Sequence, residues 1–382
     1  MCIFYVKCAR IFIIYLCYTY QYTIQKGAYI VVLKQNVIIG FIGTYTKNKS
    51  KGIYRINFNI TSGNIEKSNL AYEIENPTYL SIDKDRNIIY STCKIGDKSG
   101  VSSFKYWQEE DKLHLINCNL SEEKPPCHVS ISANKQILIS SNYHENKMLV
   151  YNTLDGLILN SPILGSHIGC SKNISRQEKP HIHCSMFTAD EKYIVSIDLG
   201  IDKMIISTLE DNKLVQKDDL SYSFPAGTGP RHITYSKATN FYYVLSELTS
   251  EIFVFKYNSN SKIPFENIQT LSSLPKNYTG EKSGAAIRVH KSNKFLYTSD
   301  RGNNSLSLFL INQADGKLKY IDTFSCNGNS PRDFQIDPTG NFLLSANENS
   351  DNISIFSINQ STGILTFIKS ETIPTPTCIE FV

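Results

Sequence analysis

One structural unit recurs seven times along this chain of 382 residues, and the repeat limits the folds that the sequence can adopt. The most regular part of the unit is a short alternating strand, whose second residue lies at positions 53, 101, 148, 204, 252, 306 and 353. Successive positions differ by 48, 47, 56, 48, 54 and 47 residues, a spacing typical of β-propeller blades. The sequence therefore predicts an all-β fold, a seven-bladed β-propeller.

Turn signals and further strands complete each unit. Hairpin signals follow several of the regular strands, at Ser62-Gly63, Asp155-Gly156, Asp315-Gly316 and Thr362-Gly363. Two more strands precede the regular one, as in the stretches 331–337 and 342–347 of the last complete unit. We therefore expect four antiparallel strands per blade. The 23 Tyr and 19 Phe residues agree with this prediction, because aromatic residues favour strands.

The two ends of the repeat region each carry part of one blade. Val37 to Thr44 has the pattern of a second strand without a first, and 377–382 has the pattern of a first strand without a second. Pairing of these N- and C-terminal strands would close the ring and remove its exposed sheet edges. We therefore predict a propeller domain over residues 37–382.

Residues 1–36 then form an N-terminal extension. Its apolar run, Ile11 to Tyr18, is short for a membrane span, which needs about 20 apolar residues. Cys17 to Gln25 offers no convincing signal-peptide cleavage site, although Lys7 and Arg10 precede the apolar run. We interpret the extension as disordered, as a targeting or anchor segment, or as artefactual.

Charge and cysteine content restrict the partners. The formal charge of +4 and the pI near 8.4 are only mildly basic. The sequence also lacks the clustered basic stripe that nucleic-acid-binding proteins usually carry. The ten cysteines are scattered, without a Cys-x-x-Cys pair, which favours reduced thiols and a cytoplasmic location. We expect a small anionic ligand, no nucleic acid, no membrane, and a monomer or weak homodimer.

Equivalent positions of the repeats form rings around the channel, because the first strand of each blade lines the propeller axis. At the start of that strand the alignment places Tyr79, His128, His183, His232, Arg288, Asp333 and Cys378, with Arg231 and Arg332 one residue earlier in their units. The end of the second strand supplies Cys93, Asn142, Asp198, Glu247, Asp300 and Asn347, and Arg301 follows Asp300. Such a mouth, rich in His and Arg and containing Glu247, suits an anionic ligand.

Structural explanations compete with this functional interpretation. Asn and Asp at strand ends commonly cap turns, and His128 could be a hydrogen-bond donor between blades. His181 and His183 have the spacing of a metal pair on one strand face, but no Cys ligand pattern accompanies them and the surrounding ring is cationic. The sequence therefore predicts neither a metal nor another cofactor.

Ten short strings resemble the propeller lactonase family, in the family's order and over residues 40–382. They are Gly43-Thr-Tyr-Thr, Asn76-Pro-Thr-Tyr-Leu, Pro126-Cys-His-Val-Ser, Arg176-Gln-Glu-Lys-Pro-His-Ile-His, Asp198-Leu-Gly-Ile-Asp, Ala226-Gly-Thr-Gly-Pro-Arg-His, Glu247-Leu, Asp300-Arg-Gly-Asn-Asn-Ser, Pro331-Arg-Asp-Phe and Pro376-Thr-Cys. The family includes the propeller type of 6-phosphogluconolactonase and the fungal carboxy-cis,cis-muconate lactonising enzyme. The resemblance implies lactone chemistry.

The family's catalytic His, Arg and Glu correspond to His183, Arg231 and Glu247, and its further active-site Arg to either Arg288 or Arg301. We expect hydrolysis of 6-phospho-D-glucono-1,5-lactone to 6-phosphogluconate, a step of the pentose phosphate pathway. We expect Glu247 or His183 to act as general base and Arg231 to stabilise the oxyanion.

Further basic residues are candidates for substrate binding. They are Arg288, Arg301, Arg332, His128, His232 and His181. The chain also departs from the family, since Ala286 and Lys94 stand where many members have Glu. Three alternatives stay open: the muconate cyclase activity, a Ca²⁺-dependent gluconolactonase using Asp198, Glu247 and Asn142, and a non-catalytic binding scaffold.

Overall fold

The computed structural model describes residues 36–236 and 238–382, which form an all-β propeller. Within these residues the strands make seven sheets, and the only helices are two short 3-10 turns, Asp218–Leu220 and Glu348–Ser350. Neither of these described helices is long or apolar enough to cross a bilayer. The prediction of seven antiparallel blades is confirmed. The extension predicted for residues 1–36 lies, up to residue 35, outside the described residues.

The strands are numbered in chain order. The first three are β1 (Val37–Thr44), β2 (Gly52–Asn59) and β3 (Asn64–Glu73). Blade 1 contains β4 (Leu80–Asp83), β5 (Ile88–Ile95), β6 (Lys98–Trp107) and β7 (Lys112–Glu122). Blade 2 contains β8 (His128–Ile131), β9 (Ile137–Asn142), β10 (Lys147–Leu154), β11 (Leu157–Ile158) and β12 (Ile163–Gly165). Blade 3 contains β13 (Ile182–Phe187), β14 (Ile194–Asp198), β15 (Lys203–Glu210), β16 (Lys213–Gln216) and β17 (Tyr222–Ser223).

The remaining blades have four strands each. Blade 4 contains β18 (Pro230–Ser236), β19 (Phe241–Ser246), β20 (Glu251–Tyr257) and β21 (Phe265–Ser272). Blade 5 contains β22 (Gly284–Val289), β23 (Phe295–Asp300), β24 (Ser305–Ile311) and β25 (Leu318–Ser325). Blade 6 contains β26 (Pro331–Ile336), β27 (Phe342–Asn347), β28 (Asn352–Ile358) and β29 (Leu365–Thr372). The last strand is β30 (Pro376–Phe381).

Blade 7 is built from both ends of the described chain, as the sequence predicted. Its strand order is β3-β2-β1-β30, and β1 pairs with β30 in antiparallel register, with Ile42 opposite Ile379. The innermost strand of this blade is therefore the last strand of the chain. This pairing satisfies an edge that would otherwise be left open between the termini.

Blades 2 and 3 differ from the prediction of four strands, because their outer edge is split into two short strands. In blade 2, β11 and β12 both pair with β10, and Ser161 between them has a φ of 67°, which extended strands do not adopt. In blade 3, β16 and β17 both pair with β15, and the turn Asp218–Leu220 separates them.

The hydrophobic core is divided among the blade interfaces. Seven clusters of buried side chains lie between neighbouring blades of the described chain, one at each interface. Turn glycines contribute to these contacts: Gly316 has a φ of 69°, and a Cβ there would lie 2.2 Å from Phe241 Cγ of the adjacent blade. Tyr243 Oη donates to the Gly316 carbonyl at 3.1 Å across the same interface. Blades locked in this way hold the strands around the channel in fixed register.

Candidate active site

Backbone hydrogen bonds at one end of the channel identify the equivalent residues of the blades. Glu247 N donates to Gly229 O at 2.7 Å, and Arg301 N donates to Ser283 O at 2.9 Å, just beyond the paired ends of their strands. The same register in the other blades defines a ring of seven residues, which we call the mouth ring: Tyr45, Lys94, Tyr143, Leu199, Glu247, Arg301 and Glu348.

A second ring lies at the start of the first strands. Pro230 pairs with Ser246 and Ile182 pairs with Asp198, so the residues that follow, Arg231 and His183, are equivalent. We call this the entry ring, and it consists of Thr78, Cys127, His183, Arg231, Ala285, Arg332 and Thr377. His183 and Arg231 therefore occupy corresponding places in neighbouring blades.

The alignment of repeats predicted some of this register wrongly. It grouped Glu247 with Asn142 and Asp198, whereas the structure places Ser246 in that column and moves Glu247 one residue outward. It also grouped His183 with His232, although His183 is equivalent to Arg231. The alignment matched residues of the same type, whereas the structural register follows the strand pairing. The β-bulge at the start of the first strand lies at the same place in blades 3 to 6, and His183 and Arg231 are each the residue that it adds.

Arg288 lies deeper in the channel than the alignment predicted. Because Ile287 pairs with Thr298, it is Ala286 and not Arg288 that corresponds to His232. The Arg288 guanidinium donates to Asp333 Oδ2 at 2.9 Å and lies 3.8 Å from Glu380 Oε1. We call Arg288, Asp333 and Glu380 the channel cluster, which is distinct from the mouth.

Three arginines converge on Glu247 at the mouth. Oε2 of Glu247 accepts from Arg231 Nε at 3.0 Å and lies 2.8 Å from Arg301 Nη2, while Oε1 accepts from Arg176 Nη2 at 2.5 Å. Burial opposes ionisation, but the charges of Arg301, Arg231 and Arg176 outweigh it and lower the pKa of Glu247 to about 2. We call these four residues the mouth cluster. At neutral pH the cluster has a surplus of positive charge.

The two predicted arginines of this cluster differ in their freedom. Arg231 is 2% exposed, and its Nη1 also donates to Ala285 O and to His232 Nε2. Burial and the Arg301 charge lower the pKa of Arg231 to about 10, which still leaves it cationic at neutral pH. The Nε and Nη2 atoms of Arg301 are buried without a hydrogen-bond partner in the described chain, since Nη2 is close to Glu247 but not aimed at it. Arg301 therefore has donors available for a ligand.

The sequence analysis did not assign Arg176 to the site. The residue lies in loop 166–181, between β12 and β13, where the repeat spacing lengthens to 56 residues. Its Nε and Nη2 atoms are 3.4 and 3.3 Å from Tyr143 Oη, and its side chain is 40% exposed. The long spacing signalled an insertion near the mouth, but only the folded loop shows which side chain enters the site.

Three histidines from adjacent blades lie just inside the mouth. The His183 and His232 rings are 5.2 Å apart, and the His128 and His232 rings are 5.9 Å apart. Burial, reinforced by the Arg231 charge, lowers the pKa of His128 to about 3 and those of His183 and His232 well below the usual range. All three are therefore neutral at pH 7. The Nδ1 atom of His183 is buried without a hydrogen-bond partner among the described residues.

His181 supports the site from outside the channel. Its ring stacks on Tyr143 at 4.1 Å, and its two nitrogens lie 2.7 Å from Tyr143 O and 3.2 Å from Glu178 Oε2. Both ring nitrogens thus have partners within the protein. The predicted substrate contact of His181 would require one of these partners to be displaced, so the geometry favours a role in holding Tyr143.

Arg332 lines the mouth on the opposite side. Its guanidinium donates to Tyr45 Oη at 3.0 Å and to Glu348 Oε2 at 3.4 Å. Lys47 Nζ approaches Glu348 Oε1 at 2.8 Å, so this part of the mouth contains two cations and one carboxylate. Arg332 remains within reach of a ligand that enters the entry ring.

The three side chains proposed as calcium ligands each interact with different protein groups. Asp198 accepts from His167 Nδ1 at 2.7 Å and from the His181 N–H at 2.8 Å. Asn142 donates to Glu122 Oε1 at 2.8 Å, and the oxygens of Glu247 face arginines. Among the residues that the structure describes, no three His, Cys, Asp or Glu side chains are grouped as metal ligands.

The two departures from the family have different surroundings. Ala286 is buried in the column of His232, and its N–H donates to Ser299 Oγ at 3.0 Å. Lys94 stands in the mouth ring and forms an ion pair with Glu75 at 3.4 Å. The neighbouring carboxylate therefore compensates the charge of Lys94.

Comparisons with known proteins agree with the fold. The family model described as "Lactonase, 7-bladed beta-propeller" matches residues 39–381. The 6-phosphogluconolactonase of Bacillus subtilis is 36% identical over 302 residues, which cover 79% of this chain and 85% of that protein. A Lactobacillus plantarum protein of known structure superposes with a TM-score of 0.84 at 30% identity, covering 91% of this chain and 99% of that one.

A more distant structure shares the fold alone. The periplasmic gluconolactonase PpgL of Pseudomonas aeruginosa has a TM-score of 0.84 at 24% identity, covering 91% of this chain and 99% of that one. The family match spans nearly the whole described chain and includes both rings at the mouth. The chain therefore belongs to the lactonase family of seven-bladed β-propellers and is an enzyme of the lactonase type.

Proposed function

We propose that this protein hydrolyses 6-phospho-D-glucono-1,5-lactone to 6-phosphogluconate without a metal ion. The observation that carries the proposal is the mouth cluster, where three guanidinium groups surround one carboxylate beside a neutral histidine. The activity named for the Bacillus subtilis relative supports the same substrate. With this substrate the enzyme would act in the pentose phosphate pathway of the cytoplasm, as a monomer or weak homodimer.

The charge balance of the mouth suits a phosphorylated sugar lactone. Three guanidinium charges against one carboxylate leave a local surplus of two positive charges. A phosphate monoester carries nearly two negative charges at neutral pH, and arginine binds it through paired N–H donors. We assign phosphate binding to the mouth arginines, with Arg301 and Arg332 as candidates, and not to Arg288, whose guanidinium is held by Asp333.

Hydrolysis requires a base for water and a cation for the developing oxyanion. In our proposal His183 accepts a proton as the water oxygen attacks the lactone carbonyl carbon, and Arg231 stabilises the negative charge on the carbonyl oxygen. The carbon–oxygen bond of the ring then breaks, and His183 returns the proton to the departing ring oxygen. The net reaction adds one water molecule and produces the open-chain acid.

The structure favours His183 over Glu247 as the base. Both oxygens of Glu247 face guanidinium groups, which occupy the lone pairs that a general base would need. His183 is neutral and has an unpartnered buried nitrogen. In this scheme Glu247 positions Arg231 and Arg301, while His128 and His232 line the inner wall next to the lactone ring.

The proposal is tested with freshly generated 6-phosphogluconolactone and the full chain, with and without a strong chelator. We expect chelator-resistant turnover above the spontaneous rate, and a loss of roughly 100-fold or more in kcat for His183→Gln, in line with the general-base contribution of 10²–10⁴. The rate of ring opening is measured in an assay that couples the product, 6-phosphogluconate, to 6-phosphogluconate dehydrogenase.

Other outcomes would contradict particular parts of the proposal. Turnover that the chelator abolishes and Ca²⁺ restores would favour the calcium-dependent gluconolactonase. Cyclisation of carboxy-cis,cis-muconate without phospholactone hydrolysis would favour the muconate activity, since a tricarboxylate also suits a cationic mouth. No turnover of either substrate by folded protein would favour a binding scaffold.

A further inference from the structure

One blade lacks a polar residue in the mouth ring, and a loop from outside the repeat takes its place. Blade 3 supplies Leu199, which is fully buried, between Tyr143 of blade 2 and Glu247 of blade 4. Loop 166–181 is anchored over this position because Gln177 Nε2 donates to Leu199 O at 2.8 Å. The loop therefore covers the apolar gap in the ring.

The anchors of the loop determine which side chain enters the gap. Ser171 Oγ donates to Asp202 Oδ2 at 2.5 Å, and the same carboxylate accepts the Gly227 and Gly229 N–H groups just before Arg231. The Arg176 N–H donates to Asn173 O at 3.0 Å within the loop. Loop and first strand of blade 4 are thus tied to one buried carboxylate, which holds Arg176 and Arg231 on the same side of the mouth.

The Arg176 guanidinium bridges the gap between blades 2 and 4. It donates to Tyr143 Oη and to Glu247 Oε1, and His181 holds Tyr143 by stacking. Of the three guanidinium groups at Glu247, that of Arg176 is the most exposed, at 40% against 18% for Arg301 and 2% for Arg231. An anion entering from solvent reaches Arg176 before the other two.

We propose that Arg176 is the residue through which this site selects a phosphorylated lactone over a neutral one, an inference that rests on the proposed function. In the free protein Glu247 holds the guanidinium over the mouth. Because Arg231 and Arg301 still neutralise Glu247, Arg176 can turn to the phosphate without leaving that carboxylate uncompensated. The inserted loop thereby adds substrate specificity to a ring built from repeats.

The test compares selectivity in wild-type protein, Arg176→Ala and Arg176→Lys. Selectivity is the ratio of kcat/KM for 6-phospho-D-glucono-1,5-lactone to kcat/KM for D-glucono-1,5-lactone. We expect Arg176→Ala to lower this ratio by roughly 10- to 100-fold, the effect of losing one hydrogen bond between charged groups, mainly through KM for the phosphorylated lactone. Lys restores charge without the planar fork, so Arg176→Lys should recover only part of the ratio.

Lys179→Ala is the matched control, because Lys179 belongs to the same loop, carries the same charge and donates to His144 O outside the mouth cluster. Its selectivity ratio should equal that of wild type. An unchanged ratio in Arg176→Ala, or an equal fall in Lys179→Ala, would overturn the assignment of Arg176.

A binding measurement separates this inference from the proposed function. If folded wild-type protein hydrolyses neither lactone, the proposed function fails, and titration calorimetry with 6-phosphogluconate and gluconate takes the place of kinetics. Preferential binding of 6-phosphogluconate that Arg176→Ala removes and Lys179→Ala keeps would still support the role of Arg176. Equal binding of both acids to wild type, or no binding of either, would overturn it.

Discussion

Two clusters of arginine and carboxylate line the same channel with opposite balances of charge. In the mouth cluster Arg176, Arg231 and Arg301 surround Glu247. In the channel cluster the single guanidinium of Arg288 lies between Asp333 and Glu380. In this channel, the cluster in which guanidinium groups outnumber the carboxylates is the one suited to bind an anion.

The ionisation of the two glutamates expresses this difference. The mouth arginines overcome burial and lower the pKa of Glu247 to about 2. Burial raises the pKa of Glu380, and Asp333 adds to the increase although Arg288 opposes it. The net positive charge of the mouth cluster therefore favours binding of an anion, whereas the channel cluster has more carboxyl groups than guanidinium groups and disfavours one.

The largest expected effect separates the two clusters by activity. Arg231→Ala should lower kcat for 6-phosphogluconolactone by roughly 10²–10³-fold, as removal of an oxyanion donor does in other enzymes. Arg288→Ala removes an arginine of the same channel but should leave kcat close to the wild-type value. Steady-state kinetics give kcat for both variants, after circular dichroism has shown that each variant keeps the wild-type spectrum. Equal losses in both variants would show that the two clusters do not divide function from structure.

The sequence was sufficient for the architecture because a propeller repeats its pattern. Seven alternating strands, their turn glycines and the split blade at the ends were all visible in the residues, since each strand must bury one face against the next blade. The sequence also identified Arg231, Glu247 and His183 as residues of one mouth. In the structure Arg231 pairs with Glu247, and the His183 ring lies against His232, which is hydrogen-bonded to Arg231.

The finer placement depended on features that no repeat alignment contains. Strand pairing, which the alignment by residue type did not reproduce, places Ser246 in the column assigned to Glu247 and Ala286 in the column assigned to Arg288. Arg176 lies in an insertion without counterparts in other blades, so its approach to Glu247 depends on how the loop folds. The strand pattern predicts the rings, but the pairing register and the fold of the inserted loop decide which side chains meet in them.

For stability, in contrast to activity, we expect the substitution of Arg288 to have a larger effect than that of Arg231. Arg288→Met should lower the free energy of unfolding by about 3–5 kcal/mol, because it leaves Asp333 buried and uncompensated. Arg231→Ala should cost less, since Glu247 keeps Arg176 and Arg301. Urea denaturation at pH 7 gives both values.

The double variant Arg288→Met/Asp333→Asn is the control for this prediction. Removing the carboxylate together with its partner should recover part of the lost stability, because neither charge is then left alone. A double variant less stable than Arg288→Met would show that Asp333 acts through contacts other than the ion pair.

Acid should weaken the mouth cluster through Glu247. Its pKa in the folded protein, about 2, lies below the ordinary value of 4.5, so its stabilisation is complete above about pH 4.5 and is lost as the pH falls towards 2. The carboxyl is 6% exposed, and the shift corresponds to roughly 3 kcal/mol as an upper bound at 1.36 kcal/mol per pKa unit. Urea midpoints of wild type and Glu247→Gln should differ most at pH 5–7 and converge below pH 4. A difference that stays constant down to pH 3 would contradict the lowered pKa.

The smallest effect is expected for Glu380→Gln, with the opposite sign. Burial and Asp333 raise the pKa of Glu380, so the unfolded chain releases this proton before the folded protein does, and stability falls as the pH rises through that interval. Neutralising Glu380 should therefore raise the melting temperature at pH 7 and change little at pH values where Glu380 is protonated in both states. The same substitution at Glu247 removes stabilisation because three guanidinium groups surround that carboxylate. If Glu380→Gln instead lowered the melting temperature at pH 7, Arg288 would need both of its carboxylates, and charge balance alone would not distinguish a binding cluster from a structural one.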